Sequence, residues 1–381
     1  MVGRLVFVFG FLLYLHGSSF AQYYPEKGTD WETREPSDLG MDSQKLQKAV
    51  DFAIENEYSG GKDLRLEILK GFAREPYHEI VGPVKERGGP SGIIIKNGYV
   101  VTQWGDPARV DMTFSVTKSY LSTVAGLAWD EGLIDLEEPV GNYVWDNTFE
   151  GEHNSKITWE HLLNQSSDWS GQLFGMYDWA DRPPREGGID DWKNRKLNTP
   201  GTFFKYNDVR VNLLSYSLLQ VWRKPLPVVL KDNIMDPIGA STTWRWFGYE
   251  SSFVLVDGQR IQSVSGGGHS GGGIFISTWD HARFGLLFLR KGKWNGKQII
   301  SEEWIEKLRK PSDANPSYGY MWWLNTDKKQ LPDVHEGTYH AAGFGGNYIY
   351  IDEKNDLVIV TRWLQPGKLN DMVKLVLESL E

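Results

Sequence analysis

SVTKSYLSTVAGLAWDEG, residues 115–132, decides how the rest of the chain is read. Phe114 precedes it, and Tyr120, Leu121 and Val124 follow in an apolar run, which predicts a buried helix stopped at Gly132. A lysine in such a helix is costly unless it is used. Ser115 lies three positions before Lys118, and positions i and i+3 share one helix face. Burial disfavours the charged lysine, and a lysine near neutrality can take the proton of a hydroxyl that is alone a weak nucleophile. Free N–H groups at the helix start favour developing negative charge. The pattern predicts a serine activated without histidine. An N-cap serine beside a surface lysine is the plain alternative, since S-x-x-K arises by chance about once in a chain of this length.

Outward from this helix the chain changes character. GIIIKNGYVVTQWGD, from Gly92, is two β-rich runs around Asn97-Gly98, a tight-hairpin signal. NYIYIDEKNDLVIVTRW, from Asn347, predicts two more strands with a polar turn at Glu353 to Asp356. SQKLQKAVDFAIEN, from Ser43, predicts a helix with Leu46, Val50, Phe52 and Ala53 inward, and KLNDMVKLVLESL closes the chain as an amphipathic helix. Between these ends lie ITWEHLLNQ, capped by Thr158, and VRVNLLSYSLLQVWR, both helical. The expected fold is α+β: one antiparallel sheet flanked by the terminal helices, with a helical domain inserted. Its boundaries are 22–114 with 266–381 for the discontinuous α/β domain and 115–265 for the mainly helical insertion. The loops from Asn164 to Gly201 are long, and loops of that length are usually functional.

The chain has 381 residues, 40% hydrophobic and 24% charged, enough for one large or two intimate domains. MVGRLVFVFGFLLYLHGSSFAQ carries one cation, Arg4, an apolar run from Leu5 to Leu15 and small residues at Ser19 and Ala21. This predicts a secretory leader, residues 1–21, and a secreted or periplasmic protein. The net charge is −9, and loss of Arg4 with the leader lowers it by one. That excludes nucleic acid and anionic membrane surfaces as natural partners. Cysteine is absent, which removes thiol chemistry and Cys-ligated metals. The eight histidines show no paired spacing, so neither metal nor cofactor is expected.

Two further motifs join Ser115 and Lys118. In GTFFKYND, from Gly201, Tyr206 sits in a loop just before a helix, where a phenol near an ammonium serves as general base or acid. In YHAAGFGGNYIYI, from Tyr339, Gly343, Gly345 and Gly346 permit close backbone approach, and an N–H here with that of Ser115 makes an oxyanion hole. A structural tyrosine and a plain turn are the bland readings of these two. GHSGG, Gly268 to Gly272, matches a nucleophile elbow at Ser270, but that elbow needs a strand before and a helix after, and GIFIS follows instead. Trp169, Trp179 and Trp192 stand as loop tryptophans, a candidate sugar platform or pocket wall beside the simpler role of packing.

Together the motifs resemble the serine β-lactamase and penicillin-binding protein superfamily, most closely its class C-like branch of esterases, D-aminopeptidases and nylon-oligomer hydrolases. The family order S-x-x-K, Y-x-N, K-T-G is matched by Ser115 to Lys118, Tyr206-Asn207-Asp208 and Ala341-Ala342-Gly343. DMTFSVTKSYLS, ITWEHLLNQSSDW, PGTFFKYND and GGGIFISTWDHARFG also look like family blocks, from about Trp31 onward. The resemblance implies a serine hydrolase acting on a small or short peptide-like ester or amide. Ser115 is then the acyl-enzyme nucleophile and Lys118 with Tyr206 the proton network. The N–H groups of Ser115 and Phe344 hold the oxyanion, and Asp208, Ala342 and Gly343 meet the substrate. Two positions depart from the pattern. Asp208 replaces the amide, which raises the pKa of Lys118 or binds a cationic or amide group of the substrate. Ala341 replaces the cation or imidazole that holds a β-lactam carboxylate, which points away from β-lactam hydrolysis; His340 is one residue off and on the opposite strand face. A slowly acylating or non-catalytic sensor on the same fold is the alternative.

Overall fold

The computed structural model describes residues 22–28 and 30–380. The expected leader lies outside the described residues. Among them, no helix is long and apolar enough to cross a membrane.

Both anticipated hairpins lie in one seven-stranded antiparallel sheet. Its order is Tyr318–Gly319, Trp322–Leu324, Tyr339–Gly343, Asn347–Asp352, Leu357–Arg362, Ser91–Lys96, Tyr99–Trp104. The strands from the two chain ends pair directly, with Ile94 opposite Ile359 and Gly92 opposite Thr361. Asn97 and Gly98 both take positive φ, 55° and 89°, the geometry that tight hairpins demand. Side chains alternate across the sheet. Leu357 and Ile359 face the helices Ser43–Glu55 and Leu369–Leu377, while Val358 and Val360 face the helix Thr278–Leu289 and the larger core. Asp42 caps the helix Ser43–Glu55, accepting from the N–H groups of Gln44 and Lys45.

The segment 115–265 is not helical throughout. It holds the helices Thr117–Asp130, Trp159–Leu163 and Asp208–Trp222, but ends in a long hairpin, Arg245–Val256 with Gln259–Val264. This hairpin joins Asp111–Met112 and Gly273–Ile276 in a second, four-stranded sheet, so residues on both sides of the expected boundary share one element. The turn is Asp257-Gly258, again at positive φ. The strand before it has a bulge between Gly248 and Phe253, which interrupts its alternation.

Two buried arginines fix the parts that matter for the site. Arg362 donates to the carbonyls of Met112 and Ile276 and to Asn347 Oδ1, tying the second sheet to the first beneath Ser115. Arg210 and Arg195 both reach Asp168 and Asp178, and the Asn198 N–H donates to Asp168. That network anchors the long loop to the helix Asp208–Trp222. Each carboxylate there is matched by a cation and by neutral donors, which is what burial of charge requires.

Candidate active site

Phe114–Val116 forms one 3-10 turn and Thr117–Asp130 continues as the buried helix. Phe114 has φ 50°, a left-handed conformation that a bulky residue adopts only when its surroundings impose it. The turn lifts Ser115 to the cavity while Lys118 stays behind it. Lys118 Nζ donates to Ser115 Oγ at 2.9 Å and to Asp208 Oδ1 at 2.5 Å. Asp208 is the first residue of its helix, with Asn207 as N-cap. Asn207 is itself fixed by Gln165 Oε1 and the Asp178 carbonyl.

Burial pulls the Lys118 pKa down, but the Asp208 carboxylate, with Tyr206, more than reverses this and the group lies above its ordinary value. Burial pushes Asp208 up, and Lys118, Arg182 and His269 more than reverse this, holding it well below the carboxylate range. The resting site therefore holds an ammonium at Lys118. The neutral lysine expected from burial alone is corrected by its counter-ion. Arg182 Nη1 lies 2.7 Å from Asp208 Oδ2, off the direction of an aligned hydrogen bond, and 2.6 Å from Asp181 Oδ1.

The cavity above Ser115 has a volume of about 400 Å³. One wall is aromatic, with Phe114 and Phe344 ring centroids 5.0 Å apart and Phe72 beyond. Opposite, Tyr206 stacks on Trp323 at 5.9 Å, with Lys118 Nζ 4.7 Å from the Tyr206 ring centre. The strand Tyr339–Gly343 closes the site. A Cβ at Gly343 would stand 2.3 Å from the Thr113 carbonyl and 3.3 Å from Ser115 N, so only glycine lets the strand run this close to the Ser115 turn. Gly345 and Gly346 serve the hairpin that follows, at φ 76° and 78°.

A match to the Beta-lactamase family model spans residues 83–363, well over half of the chain. The chain belongs to the Beta-lactamase family. Among curated relatives, the 6-aminohexanoate-dimer hydrolase of Paenarthrobacter ureafaciens is 22% identical over 283 residues, 67% of each chain. Among solved structures, a putative 6-aminohexanoate-dimer hydrolase from Bacillus anthracis matches at TM-score 0.56 and 17% identity, covering 93% of this chain and 86% of that one. A family VIII carboxylesterase matches at TM-score 0.55 and 16% identity, covering 89% and 98%. At these identities the structures establish the fold.

Within this member of the Beta-lactamase family, Ser115, Tyr206, Ala342, Gly343 and Phe344 all border the cavity. Asp208 does not: it is buried behind Lys118 with both oxygens facing internal cations, so it is placed to hold the lysine rather than a substrate. His340 corrects a second expectation. The strand alternates as anticipated, but the cavity side carries His340 and Ala342, while Ala341 is buried in the core. Trp169 and Trp179 are buried in packing, and the tryptophan on the cavity wall is Trp323. Ser270 is buried in a glycine loop, its carbonyl accepting from Val81 and Gly82 N–H groups, and the strand Gly273–Ile276 rather than a helix comes directly after it.

Four site residues escaped the sequence: Glu75, Arg182, Gly267 and His269. Glu75, Asp181 and His269 each place a ligand-type atom within 4.8 Å of the others. Their carboxylate oxygens are already engaged: Glu75 by the Arg182 N–H and His269 Nε2, Asp181 by Arg182 Nη1 and the Asp208 N–H. The trio is a closed hydrogen-bonded frame, not a vacant ligand set. Gly267 is required for another reason. A Cβ there would stand 1.8 Å from Asp208 Oδ1 and 2.2 Å from Lys118 Nζ. Gly267→Ala is expected to split the ion pair and lower kcat/KM roughly a hundredfold, since small misplacements of reacting groups cost that much. Gly89→Ala, whose Cβ meets nothing within 4 Å, is the matched control.

His340 gives an acid-stability prediction. It is 5% exposed, its Nδ1 has no partner, and burial lowers its pKa from the ordinary 6.5 to about 4. A depressed imidazole contributes its full stability above pH 6.5 and loses it as pH falls towards 4. At about 1.4 kcal/mol per pKa unit, the wild type should lose about 3 kcal/mol more than His340→Leu between pH 7 and pH 4. Urea unfolding of both proteins at the two pH values measures this.

Proposed function

We propose that this protein is a serine hydrolase that cleaves ester or amide bonds through an acyl-enzyme on Ser115. The observation that carries this is the 2.9 Å contact from Lys118 Nζ to Ser115 Oγ at the floor of the cavity. Ser115 Oγ attacks the acyl carbon, and the N–H groups of Ser115 and Phe344 receive the carbonyl oxygen as it becomes negative. Lys118 stabilises the forming alkoxide as an ammonium. To accept the Ser115 proton it passes its own to the phenol of Tyr206, whose ring lies over Nζ, as that phenol gives up its O–H proton. That proton reaches the departing alcohol or amine, and a water then releases the acyl group.

The aromatic walls suit an apolar acyl or leaving group. The protein's relatives include a 6-aminohexanoate-dimer hydrolase and a carboxylesterase, which supports ester or amide substrates. Ala341 in the core and a neutral, buried His340 leave no cation on that strand for a β-lactam carboxylate.

The test is mass spectrometry with peptide mapping after incubation with a p-nitrophenyl ester, nitrocefin and a fluorophosphonate. The expected result is a fluorophosphonate adduct on the Ser115 peptide, turnover of the ester and slow or no turnover of nitrocefin. An ester adduct that accumulates without turnover favours an acylating sensor. An adduct on the Ser270 peptide overturns the assignment.

A further inference from the structure

Behind Lys118 the buried ionisable groups do not stop at Asp208. They continue to His269 and Glu75, a chain from Ser115 to Glu75 with one open link, between Asp208 and His269. His269 Nε2 lies 2.5 Å from Glu75 Oε2, and His269 Nδ1 lies 3.5 Å from Asp208 Oδ2. His269, Glu75 and Asp208 are all more than nine-tenths buried. Neither Nδ1 nor Asp208 Oδ2 has an aligned hydrogen-bond partner, an unusual state for two facing buried atoms.

The 3.5 Å gap has a chemical reading. Glu75 as a carboxylate only accepts, so the proton of a neutral His269 sits on Nε2. Nδ1 then turns a lone pair towards a second carboxylate, and the two repel. An imidazolium instead donates to both carboxylates, and a shift of about 0.5 Å makes the second bond normal in length. The ring is held for this by Phe72, whose centroid is 3.8 Å away, and by Glu75, which the Arg182 N–H fixes through its other oxygen.

We propose that His269, oriented by Glu75, is a positioning residue for the Ser115 reaction: its imidazolium form bridges Glu75 and Asp208, draws the Asp208 charge away from Lys118, and so frees Lys118 to pass on its proton. The proposal rests on Ser115 being the nucleophile. The charged and titratable groups around His269 are Glu75, Asp181, Arg182 and Asp208, with Lys118 behind Asp208 and the phenols of Tyr206 and Tyr249 at the edges. Asp208 spans His269 and Lys118 with its two oxygens, and so is the element that transmits the change. No bond to the substrate is made by His269 in this scheme. It moves one proton's worth of charge beside a carboxylate whose other oxygen holds the catalytic ammonium.

The signature is a pH-dependent loss. His269→Gln keeps the size and an amide able to meet either carboxylate, but it never carries the charge. Glu75→Gln keeps the shape and removes the carboxylate that attracts the imidazolium. For both variants kcat/KM for a p-nitrophenyl ester is expected to fall about tenfold or more at pH 5.5. The deficit should narrow to within about threefold at pH 9. For Glu75→Gln, at a residue that does not border the cavity, the effect falls on kcat, with KM nearly constant. A deficit of equal size at every pH means that His269 is only structural and overturns the proposal, as does an unchanged acid limb in either variant. Fluorophosphonate labelling separates the two levels of argument. If wild type is not labelled at Ser115, the nucleophile assignment has failed. If wild type and both variants are labelled at Ser115 but share one pH profile, only the role of His269 has failed. Urea unfolding at pH 5.5 checks that each variant is folded where the loss is read.

Discussion

Lys118→Met is expected to lower kcat/KM for an ester by roughly a thousandfold or more, nearly as far as Ser115→Ala, and the double variant is expected to lose little beyond either. Residues that act as one unit in a transition state show this non-additivity, because the survivor has nothing left to act on. The structure makes Ser115 and Lys118 such a unit: Nζ is the donor at Oγ, and the lysine is buried with Asp208 as its other close partner. Methionine matches the stem of lysine and fills the same space. Asp208 keeps Arg182 as a counter-ion in the variant, so the carboxylate is not left alone. Removal of one partner of a buried pair costs stability, but the remaining Arg182 counter-ion limits the loss, and the protein should stay folded. Steady-state rates on the three variants decide the matter. Additive losses in the double variant would show that Lys118 acts independently of Ser115.

How much of this was legible before the fold was known depends on the kind of contact. The pairing of the two chain-end hairpins was legible because Asn97-Gly98 and the polar turn before Leu357 punctuate β-rich runs, and both runs need one shared partner surface. The hairpin around Asp257-Gly258 carried the same signal but was missed. Its first strand, RWFGYESSFVLV, has a bulge and a glycine that break the period-two pattern. Ser115, Lys118 and Tyr206 were legible because their spacing on a helix and before a helix is local. Arg182, Glu75 and His269 were not, because each arrives from a distant loop and is recognised only by what it touches. His269 had one usable clue: it stands inside SGGGHSGGG, where glycines permit close approach and the single large side chain has to point somewhere.

Asp208→Ala is expected to be the most destabilising substitution at the site, costing about 3–5 kcal/mol at pH 7, because it leaves buried cations without their shared carboxylate. Lys118 and Arg182 face that carboxylate from opposite sides, at 2.5 Å and 2.7 Å, and without it they face each other. The pH dependence carries the sign. In wild type the folded pKa of Asp208 is depressed, so its contribution is present above the unfolded carboxylate value near 3.9 and is lost as pH falls below it. In the variant, burial and the facing Arg182 charge lower the Lys118 pKa, so the folded state binds fewer protons than the unfolded one. Stability of the variant then rises with pH towards 10.4, where the unfolded lysine also becomes neutral. The deficit relative to wild type should therefore shrink between pH 7 and pH 9.5 in urea unfolding. Asp208→Asn separates charge from shape. It keeps the side-chain volume and one acceptor for Lys118, so its stability loss should be smaller than that of alanine. Its limb of kcat/KM for Lys118 deprotonation should move to lower pH, because the charge that holds the ammonium is gone. A limb that stays in place in the asparagine variant would mean that Asp208 does not set the protonation of Lys118, and the carboxylate would then be only a structural brace for the helix that carries it.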